Sequence, residues 1–143
     1  LGDARLSMEQ ELKAGQIQGF DLLALDAFSS DAIPVHLLTQ ESMQLYLAHL
    51  KPDGVIAVHI SNRYLDLEPV VENLARHFGL GFAIIEDSDP EHWWVYRTTW
   101  VLLSRNQAFL DQPAIADVRS APPRENDVGL WTDEQASLFK VLR

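Results

Sequence analysis

Two apolar runs, FDLLALD at residues 20–26 and VIAVHIS at 55–61, flank a helical pattern, and this arrangement most narrows what the chain can fold into. The first run is almost unbroken in apolar side chains. That is the pattern of a parallel strand covered by helices on both faces, which places it centrally in a sheet. Between the runs, TQESMQLYLAHL offers Thr39 as a helix cap, Glu41 and Ser42 in the first turn, and Met43, Leu45, Tyr46, Leu47 and Leu50 near helical spacing. KPDG at 51–54 reads as a turn into the second strand. Strand, helix and strand over a stretch this short make a right-handed crossover unit.

The flanking sequence extends this α/β pattern. SMEQELKAG at 7–15 combines good helix formers with a Ser ahead of acids and a Gly at the stop. LEPVVENLARHFG repeats the helical pattern and ends at Gly79. FAIIED and TTWVLLS then read as two strands separated by SDPEHWWVYR, most economically a hairpin, so the sheet is expected to finish with an antiparallel pair. The stretch from Asn106 to Gly129 holds three of the seven prolines and reads as irregular. The tail LWTDEQASLFKVLR predicts a helix starting at Thr132, with Asp133 and Glu134 in its first turn.

Composition excludes several function classes. A chain of 143 residues suits one domain, and the lack of Cys removes disulfides and thiolate metal sites. A net charge of −10 with no Lys/Arg cluster argues against nucleic acid as a partner. An acidic surface attracts cations, small polyamines included, but also serves solubility alone. No apolar stretch approaches the length of a bilayer span, and the N-terminus lacks the order of a signal peptide, so the chain is expected to be soluble. LGDARL reads as a strand end entering a loop without an initiator Met, which suggests a piece of a larger protein.

The chemistry-bearing residues gather after the first apolar run. In open α/β sheets ligands bind beyond the carboxyl ends of the strands, and Asp26 stands at such an end. An Asp there can be a general base, a metal ligand or an acceptor for the N–H groups of the next turn. The loop DAFSSDAIP adds Ser29, Ser30 and a second acid, Asp31, and two neighbouring anions suit an amine. His36 and His59 lack the spacing of a metal pair and read as core histidines or as supports for another polar group. In GDAR, Gly2 permits a tight turn, while Asp3 can accept from an amino group, cap the following helix or pair with Arg5. Trp93 and Trp94 can wall a pocket or cover the sheet, and Trp100 reads as a sheet cover.

Taken in order, GDARL, FDLLALDAFSSDAIPVHLLT, LKPDGVIAVHISN and LWTDEQASLFKVL resemble the spermidine synthase family. The similarity is greatest to spermidine synthase-like proteins often fused to membrane segments, and it covers nearly the whole chain. It implies the C-terminal half of a Rossmann-like, methyltransferase-type sheet, mostly parallel with a terminal antiparallel pair and strand order 4-5-7-6. It also implies an aminopropyltransferase, in which a diamine such as putrescine attacks the aminopropyl carbon of decarboxylated S-adenosylmethionine. Asp26 then matches the family's base, and Asp31, with Ser29 and Ser30, the loop that holds the diamine. Asp3, with Ala4, matches the segment that binds the adenine amino group.

The departures define the alternatives. The glycine-rich turn and the ribose-binding acid of the family are absent from these residues, HISN replaces a Gln-containing segment, and the Trp-rich loop replaces a Tyr-Pro-containing one. The isolated chain is therefore expected to be inactive, and its parent to be cytoplasmic or at the inner face of a membrane. With the first strands missing, FDLLALD would be an open apolar edge, and a homodimer is expected. A methyltransferase using S-adenosylmethionine on another small nucleophile fits the sheet equally well. A non-catalytic module that binds a polyamine or nucleotide is the third reading. A receiver domain is set aside because its acidic pair and late strand-end Lys are absent.

Overall fold

The computed structural model describes residues 3–26, 34–87, 98–120 and 126–143. It is an α/β structure around one four-stranded mixed sheet. The elements are α1 (Ala4–Lys13), β1 (Phe20–Leu25), α2 (Gln40–His49), β2 (Leu50–His59), α3 (Glu68–Phe78), β3 (Gly81–Asp87) and β4 (Thr98–Ser104), then the short helices α4 (Gln107–Leu110) and α5 (Pro113–Ala116). Single 3₁₀ turns lie at Val35–Leu37 and Leu138–Val141.

The strand order is β1-β2-β4-β3. β1 and β2 are parallel, and β4 runs antiparallel to both of its neighbours, β2 and β3. The expected antiparallel pairing of the last two strands is present, with β4 inserted between β2 and β3. Because β4 alone is reversed, β1, β2 and β3 share one direction.

β2 is the strand with covered faces. Val55, Ile56, Ala57 and Val58 are all buried, and successive residues point to opposite faces, so both sides of the strand are packed. The core places Met43 and Tyr46 of α2, Val70, Val71 and Leu74 of α3, and Leu103 of β4 around it. The Tyr46 hydroxyl donates to the Leu37 carbonyl at 3.2 Å, and burial pushes its pKa up to about 12. Buried His49 at the end of α2 reaches the Met8 carbonyl through Nε2 at 2.9 Å, which docks α1 on α2.

Several local expectations meet a different outcome. β1 is an edge strand among the described residues, the open edge expected for FDLLALD rather than the central place read from its apolar run. Leu25 packs inward, whereas Leu22 on the opposite face is 59% exposed, because apolar continuity reports what a strand can bury and not where it stands in the sheet. KPDG lies within β2 rather than ahead of it. Two steps along β1, from Phe20 to Leu22, are matched by five along β2, from Leu50 to Val55, so the turn-forming residues swell one strand of the ladder. A Cβ on Gly54 would stand 2.9 Å from the Phe20 carbonyl oxygen, so this swelling needs Gly.

α1 starts at Ala4, ahead of the predicted Ser7, because Asp3 Oδ1 accepts from the Leu6 N–H and supplies the cap. The predicted helix from Thr132 is replaced by a turn closed between Thr132 and Gln135 and by the later 3₁₀ turn. Asn106 caps α4, so the stretch expected to be irregular holds two short helices. Thr39 does cap α2, in a reciprocal capping box with Ser42.

Core packing makes two substitutions separable by urea denaturation. Leu74→Ala, at a fully buried position, should lower stability by about 2–5 kcal/mol. Gly79→Ala should cost about 1 kcal/mol through backbone conformation alone, since φ is +64° and the space beside it is open.

Candidate functional site

β1 and β2 are parallel neighbours, so their carboxyl ends lie side by side and bring Asp26 next to His59. Asp26 Oδ1 lies 2.8 Å from His59 Nδ1. His59 Nε2 lies 2.7 Å from Ser61 Oγ. Residues 59 and 61 are two apart in an extended run, which sends both side chains to the same face. Ser61 Oγ also accepts the Thr99 N–H at 2.7 Å, and the Ile60 N–H donates to the Thr99 carbonyl, so the start of β4 fixes the serine.

Trp100 stands opposite His59 in the β2–β4 register and stacks on its ring, with centroids 4.8 Å apart and planes 19° from parallel. The His59 side chain is 19% exposed and that of Asp26 60% exposed. With the imidazole neutral and Nδ1–H donating to the Asp26 carboxylate, Nε2 is the acceptor for the Ser61 hydroxyl. The group is a connected Asp–His–Ser line open to solvent at the Asp.

The second group lies at the N-terminus of α1. Asp3 Oδ2 meets His36 Nε2 at 2.8 Å while Oδ1 caps the helix. The Leu6 N–H first, and then His36, hold the Asp3 carboxyl below its usual range. Arg5 does not pair with Asp3. Its guanidinium binds both carboxylate oxygens of Asp133, donates to Glu9 Oε1 at 3.1 Å and reaches the His36 carbonyl at 2.6 Å. Asp133 Oδ1 also accepts from the Thr39 hydroxyl at 2.7 Å, and the Asp133 N–H donates to Glu41.

These ties join α1, the cap of α2 and the C-terminal tail around a cavity of about 530 Å³, lined by Asp3, Arg5, Leu6, Glu9, His36 and Asp133 among others. Ala4 is the exposed first residue of α1 beside it. Arg5 is the one guanidinium in this acidic lining, and its partners raise its pKa further, Asp133 foremost.

Of the residues singled out from sequence, Asp26 and Asp3 stand in these two separate groups, while Ser29, Ser30, Asp31, Trp93 and Trp94 lie outside the described residues. His59 and His36 each support a carboxylate, one of the roles expected for them. Sequence reasoning missed Ser61, Arg5 as a hub, and Asp133. The His-x-Ser spacing within a strand was the available signal for Ser61, whereas nothing local marks Asp133 as the partner of Arg5. Among the described residues no cluster of His, Asp and Glu is arranged to hold a metal ion, and no helix is long and apolar enough to cross a membrane. No protein-family model and no curated protein matches the sequence.

The Arg5–Asp133 contact has a defined acid response. Arg5, then Thr39, hold the Asp133 carboxyl below its ordinary value of 3.8. Its contribution is therefore present above that value and is lost as pH falls through the lower pKa of the folded state. Asp133→Asn should reduce stability by about 1 kcal/mol at neutral pH, a figure kept small because the pair is part-exposed. The gap from wild type should close on acidification, as read from urea midpoints at several pH values.

Proposed function

We propose that these residues form part of an aminopropyltransferase-type domain, with Asp26 as the base that takes the proton from an attacking diamine. The observation that carries this reading is the position of Asp26. It is more than half exposed at the carboxyl end of a parallel strand, with one oxygen held by His59. The order β1-β2-β4-β3, with a single reversed strand inserted next to last, supports the methyltransferase-type half-sheet that the resemblance implies.

In this reaction the amine lone pair forms a bond to the aminopropyl carbon of decarboxylated S-adenosylmethionine. The C–S bond breaks toward sulfur, methylthioadenosine leaves, and the ammonium proton passes to Asp26. The sulfonium is already activated, so orientation supplies much of the rate. The net charge of −10 favours a dicationic amine near the site. In this reading the adenosyl end binds in the cavity beside α1, which Asp3 lines.

The test is transfer by the natural protein that carries this sequence, given decarboxylated S-adenosylmethionine and a panel of diamines. Methylthioadenosine should be released with at least one diamine, and Asp26→Asn should slow release by about 10²–10⁴-fold. A wild-type protein that releases none with any diamine, yet transfers a methyl group from S-adenosylmethionine, would assign the sheet to a methyltransferase instead.

A further inference from the structure

The Asp26–His59–Ser61 line has the geometry of an activated serine, and we infer that Ser61 is a nucleophile with His59 as its general base. The directions of the hydrogen bonds are mutually consistent. The Asp26 carboxylate accepts a hydrogen bond from His59 Nδ1–H at 2.8 Å, which leaves the Nε2 lone pair turned toward Ser61. Ser61 Oγ, 2.7 Å from Nε2, is within reach for proton transfer. The same oxygen accepts the Thr99 N–H at 2.7 Å, which occupies one lone pair and leaves the other for attack.

The surroundings hold this arrangement in place. Stacking on Trp100 restrains the imidazole plane, and β1, β2 and β4 each contribute a fixed backbone. Ser61 and His59 are only partly buried, so a small electrophile can approach.

The substrate class is a small acyl ester. Ser61 Oγ bonds to the carbonyl carbon as its proton moves to His59 Nε2. The tetrahedral adduct then collapses, its C–O bond to the alcohol breaks, and the alcohol leaves with that proton. Water, deprotonated by His59 in the same way, releases the acid and restores the Ser61 hydroxyl. The inference does not rest on aminopropyl transfer, since neither a diamine nor a nucleotide takes part.

The experiment is labelling of the 143-residue chain with a fluorophosphonate, in which an Oγ–P bond forms, the P–F bond breaks and fluoride leaves. The modified peptide is located by mass spectrometry. One label on Ser61 is expected in the wild type. His59→Asn keeps an N–H near Asp26 but removes the base, and it should label about 10²–10⁴-fold more slowly. Its urea midpoint and circular dichroism report whether the fold is retained. An unlabelled Ser61 in folded wild-type protein would overturn the inference, as would equal labelling rates in a folded His59→Asn variant.

Discussion

β2 is the constraint on which the rest depends. It is buried on both faces and paired along both edges, parallel to β1 and antiparallel to β4. Its pairing with β1 sets their carboxyl ends side by side, and its pairing with β4 brings Trp100 opposite His59 and the Thr99 N–H to Ser61. A slip of one residue in either ladder would move His59 to the other face and separate all of these groups. The chemistry at this end of the sheet is therefore as well defined as the packing of Ile56 and Val58 beneath it.

A second constraint is electrostatic. The chain carries 21 acids against 11 Lys and Arg, an excess of negative charge that is self-repulsive on balance. At the mouth of the cavity this is managed locally by Arg5, which engages Asp133 and Glu9 together and draws the tail against the cap of α2. Thr39 belongs to both systems. Its hydroxyl accepts the Ser42 N–H as a helix cap and donates to Asp133, which couples the start of α2 to a segment far along the chain. Asp3 and His36 line the same cavity, so its charge pattern is set by contacts among elements distant in sequence.

Local chemistry made much of the secondary structure legible. Thr39 with Ser42 marks the start of α2, Gly79 ends α3, and FAIIED and TTWVLLS form the paired strands expected of them. Signals that failed were local ones overruled at a distance. KPDG has the residues of a turn, yet it is taken up as the swelling of β2 between the Phe20–Leu50 and Leu22–Val55 pairs of the ladder. Thr132 with its following acids resembles a helix start, yet the carboxylate of Asp133 is taken by Arg5 and its N–H by Glu41, while the Leu65–Leu142 bridge draws the chain end across β2's exit.

The candidate site divides along the same line. The amino-acid sequence alone determined that an acid stands at the end of a buried-type strand, that a histidine lies in the next, and that helices lie between and after them. Those features follow from side-chain periodicity and capping, which act over one turn or one strand. Only the tertiary structure decided that Asp26 meets His59, that Thr99 fixes Ser61, and that Arg5 finds Asp133, 128 residues away. Such pairings depend on which strands share an edge and in what register, and that choice is made by the burial of the whole core rather than by any short stretch of chain.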